Sequence, residues 1–186
     1  MKRTLTLDST RAVGERITAS GWVHARRDHG GLIFVDLRDH AGLLQLVFNP
    51  DKVEAFRLAE DLRDEFVIRA SGVVTERAED LRNDKIPTGG VELLVDELVI
   101  LNRAETLPIQ PFSENQANEE LRLKYRFLDL RRPKMQQMLK KRAEMYQIIH
   151  KYMNDNEFTE VQTPILANSS PEGARDFIIP SRLHEG

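Results

Sequence analysis

The most regular hydrophobic alternation in the chain lies in residues 16–48, where three apolar runs are separated by turns at Gly30-Gly31 and at Gly42. Every second residue of the second and third runs is apolar and would face a core: Ile33, Val35, Leu37, Leu44, Leu46 and Phe48. The intervening positions, which include Phe34 and Gln45, would point to the opposite face. Alternating runs bounded by glycine turns predict three strands that follow one another in a meander.

A helix and two further strands are expected after residue 48. Asn49 and Pro50 are typical of a helix start, and apolar residues recur every three positions from there to about Arg63. Two apolar runs, at 66–75 and 91–101, predict a fourth and a fifth strand. Five strands with one helix between the third and the fourth is the order of the OB-fold, a partly open β-barrel that binds oligonucleotides. We therefore expect an OB-fold domain over residues 1–102.

The second half of the chain has a different pattern. Residues 103–120 contain two prolines and several side-chain amides, which indicates a linker. Pro133 is expected to begin a long helix whose apolar stripe runs from Met135 to Met153. A strand is predicted over residues 158–166, and Pro164 would restrict it to an edge, a bulge or an interface. Residues 121–186 are therefore expected to begin an α+β domain that is incomplete at Gly186.

Composition excludes some classes of protein but selects none. The 186 residues carry a net charge of −3 and no cysteine, so disulfides and thiolate metal sites are excluded and no overall basic charge marks a nucleic-acid binder. The chain has no signal peptide and no apolar segment of membrane-spanning length, so a soluble cytoplasmic protein without membrane contact is expected. Positive charge is local: residues 121–142 contain nine lysines and arginines against one acid. This run is either a solvated face or a phosphate contact.

The candidate chemistry lies on the second face of the predicted meander. Phe34 shares that face with Asp36 and Arg38, which mark it as solvated, and Gln45 is expected to join it. An exposed aromatic ring can stack on a base, an amide can hydrogen-bond a base edge, and the nearby Arg27 can contact phosphate, so the combination favours a surface for single-stranded nucleic acid. Each residue alone has an alternative, because Phe34 could pack beneath a loop and Gln45 could be an ordinary surface residue.

The order of these motifs resembles a known family. The barrel and linker, the string RLKYRFLDLRRP at 122–133, the long helix and the string TPIL at 163–166 resemble a class II aminoacyl-tRNA synthetase of the aspartate, asparagine and lysine subgroup. The string SPEGARDF at 170–177 resembles the bacterial-type aspartyl-tRNA synthetases in particular. The resemblance implies that the barrel binds the anticodon, with Phe34 stacking on one base and Gln45 hydrogen-bonding one. Arg27 and Glu92 would contact the first anticodon base or its neighbourhood.

The resemblance also assigns roles in the second half of the chain. Arg122, Lys124 and Arg126 would lie in a hinge that contacts the body of the tRNA. The long helix and the strand with Pro164 would form the first class II motif, which makes the homodimer interface. Glu172 would lie in a mobile loop that closes over the amino acid, with its carboxylate facing the ammonium group of the substrate.

The implied reaction is the activation of aspartate with ATP and Mg²⁺, followed by transfer of aspartate to tRNA-Asp. The family residues that hold ATP belong to the second and third class II motifs, which do not occur before Gly186. We therefore expect no catalytic residue, no metal ligand and no bound cofactor in this chain. The 186 residues alone are expected not to aminoacylate tRNA.

Three alternatives remain open. His29 and Leu81 stand where many members specific for tRNA-Asp have a leucine and an asparagine, and His29 resembles the relaxed type that also charges tRNA-Asn. Neutral variation in a loop explains the two residues equally well. An asparaginyl or lysyl ligase of the same subgroup is disfavoured by residues 170–177. A stand-alone OB module that binds tRNA or another single strand without catalysis is the alternative from a different class.

Overall fold

The computed structural model describes residues 2–113, 115, 117–166, 177, 179–180 and 182–183. Two compact units are formed, Met1–Gln110 and Pro111–Gly186, and each is described by itself. Within the described ranges, no helix has both the length and the apolar composition that a membrane span requires.

The first unit is a five-stranded β-barrel. Its strands are β1 (Arg16–His29), β2 (Leu32–Arg38), β3 (Leu43–Phe48), β4 (Val67–Glu76) and β5 (Val91–Asn102). The strands pair in the order β1-β2-β3-β5-β4, and β4 returns to pair with β1, so the barrel is closed. Only the β3–β5 pair is parallel, and the other four pairs are antiparallel. The OB-fold predicted from the alternation is confirmed, although the ring of strands is complete rather than partly open.

The inward residues of the alternating runs form the core. Together with Leu62, which follows the helix after β3, the largest fully covered apolar side chains are Phe48, Leu37, Leu44, Leu46, Ile68, Leu93, Val23, Val35 and Val74. Helix α1 (Val53–Glu60) adds Ala55 and Ala59 to this cluster. The predicted helix is present, but its predicted bounds are wrong, because Asn49 is not its N-cap and it ends at Glu60 rather than at about Arg63. The Asn49 side chain instead accepts a hydrogen bond from the Asp51 N–H at 3.0 Å, which closes a local turn before the helix.

Two glycines allow the strands to approach each other closely. A β-carbon at Gly21 would lie 2.2 Å from the carbonyl oxygen of Arg38 on β2, and one at Gly72 would lie 2.0 Å from that of Leu94 on β5. Register shifts lie near both contacts, between Val23 and Ala25 on β1 and between Ser71 and Gly72 on β4. Bulges and glycines of this kind bend strands sharply, as closing a small barrel requires.

A buried carboxylate ties the N-terminal segment to the turn between β2 and β3. Asp39 accepts hydrogen bonds from the Thr6 N–H at 2.9 Å, the Thr6 hydroxyl at 2.6 Å, the Ala41 N–H at 2.8 Å and the Gly42 N–H at 3.2 Å. Burial of Asp39 opposes ionisation, but the bonds from Thr6, Ala41 and Gly42 outweigh it and hold the pKa of this carboxyl below its ordinary value. The folded barrel therefore favours the charged form of Asp39.

We expect Asp39 to make the stability of the barrel depend on acid pH. Because its pKa is lower in the folded than in the unfolded chain, its contribution is complete above the unfolded pKa, about 3.9, and is lost as the pH falls through the folded pKa. Urea unfolding of the wild type and of Asp39→Asn at several pH values measures this contribution. The difference in unfolding free energy should be largest near neutral pH and shrink below about pH 4. A difference that stays constant with pH would contradict the assignment.

The second unit begins with three helices, α2 (Glu119–Lys124), α3 (Arg126–Asp129) and α4 (Pro133–Asp155). Asn118 caps α2 by accepting a hydrogen bond from the Leu121 N–H at 2.9 Å. Pro133 lies in the first turn of α4, as predicted, because the missing N–H of proline has no partner to lose there. Large apolar side chains of α4 are exposed, and we call them the α4 stripe: Met138, Leu139, Met145, Ile148, Ile149, Tyr152 and Met153.

The strand predicted over residues 158–166 is not formed. Residues 158–164 have no regular secondary structure, and Pro164 is exposed. A strand is stable only when a neighbouring strand accepts and donates its backbone hydrogen bonds. The described part of the second unit contains no strand that could pair with this segment.

Candidate nucleic-acid interface

The barrel brings together four of the residues that the resemblance assigned to the anticodon. Arg27 on β1 pairs in register with Phe34 on β2, and Gln45 on β3 pairs with Glu92 on β5. Asp36 on β2 links the two pairs, because it lies two residues after Phe34 and opposite Gln45. The chain neighbours of Phe34, Asp36, Gln45 and Glu92 are buried, so these four side chains lie on the outside of the barrel, and Arg27 shares their face because it is opposite Phe34. We call Arg27, Phe34, Asp36, Gln45 and Glu92 the outer row.

Phe34 lies outside the hydrophobic core. It is half-buried and absent from the core cluster, whereas its neighbours Ile33 and Val35 are 3% and 0% exposed. Val47, opposite Phe34 on β3, is also outward but only 5% exposed. Part of the ring therefore remains open to solvent, as stacking on a base would require.

Gln45 is more enclosed than the sequence suggested. Only 7% of the residue is exposed, and its Nε2 donates a hydrogen bond to Glu92 Oε2 at 2.9 Å. Because a carboxylate only accepts hydrogen bonds, this contact fixes the orientation of the amide and turns its carbonyl oxygen away from Glu92. The two residues therefore form one hydrogen-bonding unit.

Two further charged residues adjoin this unit, and sequence reasoning gave a role to neither. Arg77, the residue after β4, places Nε 3.6 Å from Glu92 Oε2, and within the described ranges this buried nitrogen has no hydrogen-bond partner. Asp36 accepts two hydrogen bonds from Arg27 Nη2, at 2.9 and 3.1 Å. The alternation placed Asp36 on the outward face, but only the register of β4 with β5 shows that Arg77 lies beside Glu92.

Arg38 does not mark a solvated face, and that interpretation was wrong. Its Nη2 donates to Glu65 Oε1 at 2.7 Å and to Oε2 at 2.9 Å, and the two side chains are 12% and 7% exposed. Arg38 Nη1 lies 3.0 Å from His24 Nδ1. Burial, followed by the positive charge of Arg38, lowers the pKa of His24. This cluster is a buried ionic contact rather than an open surface.

The two residues linked to relaxed specificity lie at separate places in the first unit. His29 is the exposed last residue of β1, opposite Leu32. Leu81 lies in a short 3₁₀ helix, Glu79–Leu81, and is 60% exposed. Both side chains are accessible to solvent.

The three cationic side chains of the predicted hinge differ in whether they form ion pairs. Arg122 donates to Asp129 at 2.9 and 3.3 Å, and Arg126 donates to the same carboxylate at 2.6 Å. Asp129 is fully buried, and the hydrogen bonds from Arg122 hold its pKa below the ordinary value despite that burial. Lys124 is exposed, with its ammonium 5.5 Å from the centre of the Tyr125 ring. Glu172 lies outside the described residues.

Comparison with known sequences finds a matching family model for each of the two units. Residues 17–101 match the model of the OB-fold nucleic acid binding domain, and residues 118–186 match that of the class II tRNA synthetases (D, K and N). The first part of the chain is therefore similar to a nucleic-acid-binding OB domain, and its last part is similar to the class II tRNA synthetases of the D, K and N group.

Individual proteins similar to this chain include aspartate–tRNA ligases and an asparaginyl-tRNA synthetase. The chain is 48% identical to the aspartate–tRNA(Asp/Asn) ligase of Legionella pneumophila (strain Corby), over 94% of this chain and 30% of that protein. It is 50% identical to the aspartate–tRNA ligase of Staphylococcus haemolyticus (strain JCSC1435), over the same two shares. The asparaginyl-tRNA synthetase of Pyrococcus horikoshii complexed with asparaginyl-adenylate matches with a TM-score of 0.72 and 29% identity, over 88% of this chain and 36% of that one. The chain thus spans about 30% of the length of these curated relatives.

Proposed function

We propose that this chain supplies the anticodon-binding part of an aspartate–tRNA ligase, which activates aspartate with ATP and transfers it to tRNA-Asp. The observation that carries the proposal is the outer row, where Phe34, Gln45 and Glu92 meet on adjacent strands. A partly open ring provides a stacking surface, the amide and carboxylate provide hydrogen-bonding groups, and Arg27 provides a charge for phosphate. Similarity to proteins named as aspartate–tRNA ligases supports the same assignment.

The hydrogen-bonding groups of the outer row favour particular base edges. Glu92 can only accept hydrogen bonds, and the carbonyl oxygen of Gln45 is the part of its amide left for a ligand. Both groups therefore suit bases that present N–H donors. Every base has such a donor on its pairing edge, but only guanine has two adjacent ones, at N1 and N2, and guanine is the first base of GUC, the aspartate anticodon of the standard genetic code. This chemistry supports an anticodon that contains guanine.

The second unit would take part in dimerisation and in contact with the tRNA body. The exposed α4 stripe supports a homodimer interface formed by α4 and the segment around Pro164, because large apolar surfaces of this kind mark interaction sites. In the proposed hinge, Lys124 is free to reach phosphate, while Arg122 and Arg126 are held by Asp129. Glu172 is proposed to face the ammonium group of aspartate.

ATP and Mg²⁺ would be held by other parts of the ligase. In the ranges that the structure describes, no three His, Cys, Asp or Glu side chains lie close enough together to hold a metal ion. The contribution proposed for the chain is recognition of the tRNA.

One observation favours a second substrate, tRNA-Asn. His29 is exposed at the end of β1, and the Legionella relative carries a name that includes both tRNAs. A residue at this position could alter contacts with the anticodon loop without affecting the outer row.

Filter binding of tRNA-Asp, tRNA-Asn and an unrelated tRNA to the chain tests both proposals. Relaxed recognition predicts that tRNA-Asp and tRNA-Asn bind with similar affinity and that the unrelated tRNA binds more weakly. Affinity should fall steeply as salt is raised, because phosphate contacts release counterions. A large preference for tRNA-Asp over tRNA-Asn would exclude the second substrate. Equal binding of all three tRNAs would overturn anticodon recognition itself.

A further inference from the structure

Asp36 places a carboxylate in the middle of a surface that is proposed to bind a polyanion. It lies opposite Gln45 in the register, between the pair Arg27–Phe34 and the pair Gln45–Glu92. A carboxylate here repels the phosphates that the surface should attract, so its presence needs a physical reason. The contact with Arg27 supplies one.

We propose that Asp36 is a positioning residue that aims the guanidinium of Arg27 and limits binding of RNA without the cognate loop. The proposal rests on the proposed anticodon-binding function and adds a determinant of specificity to it. Asp36 need not touch the RNA, because it acts through Arg27.

The geometry of the pair explains how it aims the guanidinium. Arg27 uses only Nη2 to donate to Oδ1 and Oδ2 of Asp36, at 2.9 and 3.1 Å. In the described part of the chain, Nε and Nη1 of Arg27 make no hydrogen bond, so these donors remain for a phosphate oxygen. The Asp36 side chain is 21% exposed and the Arg27 side chain 57%, so the held end is sheltered and the free edge faces solvent.

The charges explain why the pair would limit non-cognate binding. An unpaired arginine attracts any phosphate, whereas one paired with a carboxylate contributes little long-range attraction. Glu92 adds a second carboxylate to the outer row. RNA whose bases do not contact Phe34 and Gln45 therefore gains little binding free energy at the outer row. A cognate loop gains the base contacts and places one phosphate at the free edge of Arg27.

The test compares Asp36→Asn with the wild type on two RNA hairpins, the anticodon stem-loop of tRNA-Asp and the same stem with a loop of uridines. Fluorescence anisotropy over a series of salt concentrations measures the affinities. Asp36→Asn is expected to bind the uridine hairpin roughly 3- to 10-fold more tightly and to lose part of its preference for the cognate loop. Because Arg27 would then neutralise a phosphate fully, the slope of log affinity against log salt should steepen by up to about 0.7.

Three further variants separate this role from simple support of the fold. In an Arg27→Gln background, Asp36→Asn should leave the salt slope unchanged, because the residue through which it acts is absent. Asp36→Glu keeps the charge and should keep the wild-type slope. Glu97→Gln is the matched control, because Glu97 also pairs with an arginine of the barrel, 3.2 Å from Arg16 Nη2, but lies off the outer row. It should change the affinity for either hairpin less than twofold.

The outcomes are distinguishable. An unchanged salt slope in Asp36→Asn, an equal loss of affinity for both hairpins, an effect that persists without Arg27, or an equal effect of Glu97→Gln would each overturn the role of Asp36. Failure of the proposed function would appear in the wild type, as equal affinity for the cognate and uridine hairpins. If Asp36→Asn did not fold, the salt slopes of Asp36→Glu and Arg27→Gln would still test whether the paired Arg27 contacts a phosphate. Asp36→Glu should match the wild type and Arg27→Gln should not.

Discussion

Replacement of Phe34 by alanine is expected to weaken binding of the tRNA-Asp anticodon stem-loop by about 1–3 kcal/mol, which is roughly 5- to 150-fold in Kd. The reason is the loss of one stacking platform for an unpaired base. Phe34 is outside the core cluster, so its removal should affect binding more than folding. Fluorescence anisotropy with the labelled stem-loop measures the affinity, and thermal unfolding of the same variant measures the stability.

Two substitutions at Phe34 distinguish stacking from packing. Phe34→Tyr keeps an aromatic face and should retain most of the affinity, whereas Phe34→Leu keeps apolar bulk without that face and should lose much of it. Phe56→Leu is a matched control, because Phe56 is a partly buried phenylalanine of α1 that packs against the core. It should lower stability and leave the stem-loop affinity unchanged. If Phe34→Ala lowered stability without changing affinity, Phe34 would be a packing residue.

The strands of the barrel were predictable because their signal is local. A period of two residues appears within each run, and the predicted strands at 66–75 and 91–101 differ from β4 and β5 by at most one residue at either end. Helix α4 began at its predicted proline for a similarly local reason. Closure of the ring, by contrast, depends on β4 pairing with β1, which no local pattern encodes.

The neighbours within the candidate site follow from long-range pairing, so sequence found only some of them. Gln45 and Glu92 are 47 positions apart and meet because β3 and β5 run parallel. The antiparallel pairing of β4 with β5 brings Arg77 to Glu92, and the sequence contains no sign of that contact. Arg38 was misjudged because its partner, Glu65, comes from the segment before β4 and covers a side chain that alternation alone placed in solvent.

In segment 158–166 the sequence predicted a strand that the structure does not form. Its apolar composition favours a strand, but the described part of the unit offers no strand to accept its hydrogen bonds. A local preference then has nothing to stabilise it. Burial of Gln45 is a related case, because the exposed fraction of an outward residue depends on the size and position of its neighbours, which alternation does not give.

Replacement of Glu65 by alanine is expected to lower the free energy of unfolding by about 3–5 kcal/mol. The change would remove the two carboxylate oxygens that accept from Arg38 Nη2, at 2.7 and 2.9 Å, and take the charge of Glu65 away from an arginine whose side chain is only 12% exposed. Breaking a buried ion pair from one side costs more than the pair itself contributes, because the remaining charge stays away from water. Urea unfolding followed by circular dichroism measures the loss.

The backbone at Glu65 provides an internal check on this account. Its φ is +66°, in the left-handed region, where a residue with a β-carbon is strained and glycine is not. Glu65→Gly and Glu65→Ala both remove the ion pair, but only glycine relieves the strain, so the glycine variant should be more stable by roughly 1 kcal/mol. Glu97→Ala, which removes a 70% exposed partner of Arg16, should cost less than about 1 kcal/mol. A loss in Glu65→Ala no larger than in Glu97→Ala would show that Arg38 is solvated in the folded barrel and does not depend on Glu65.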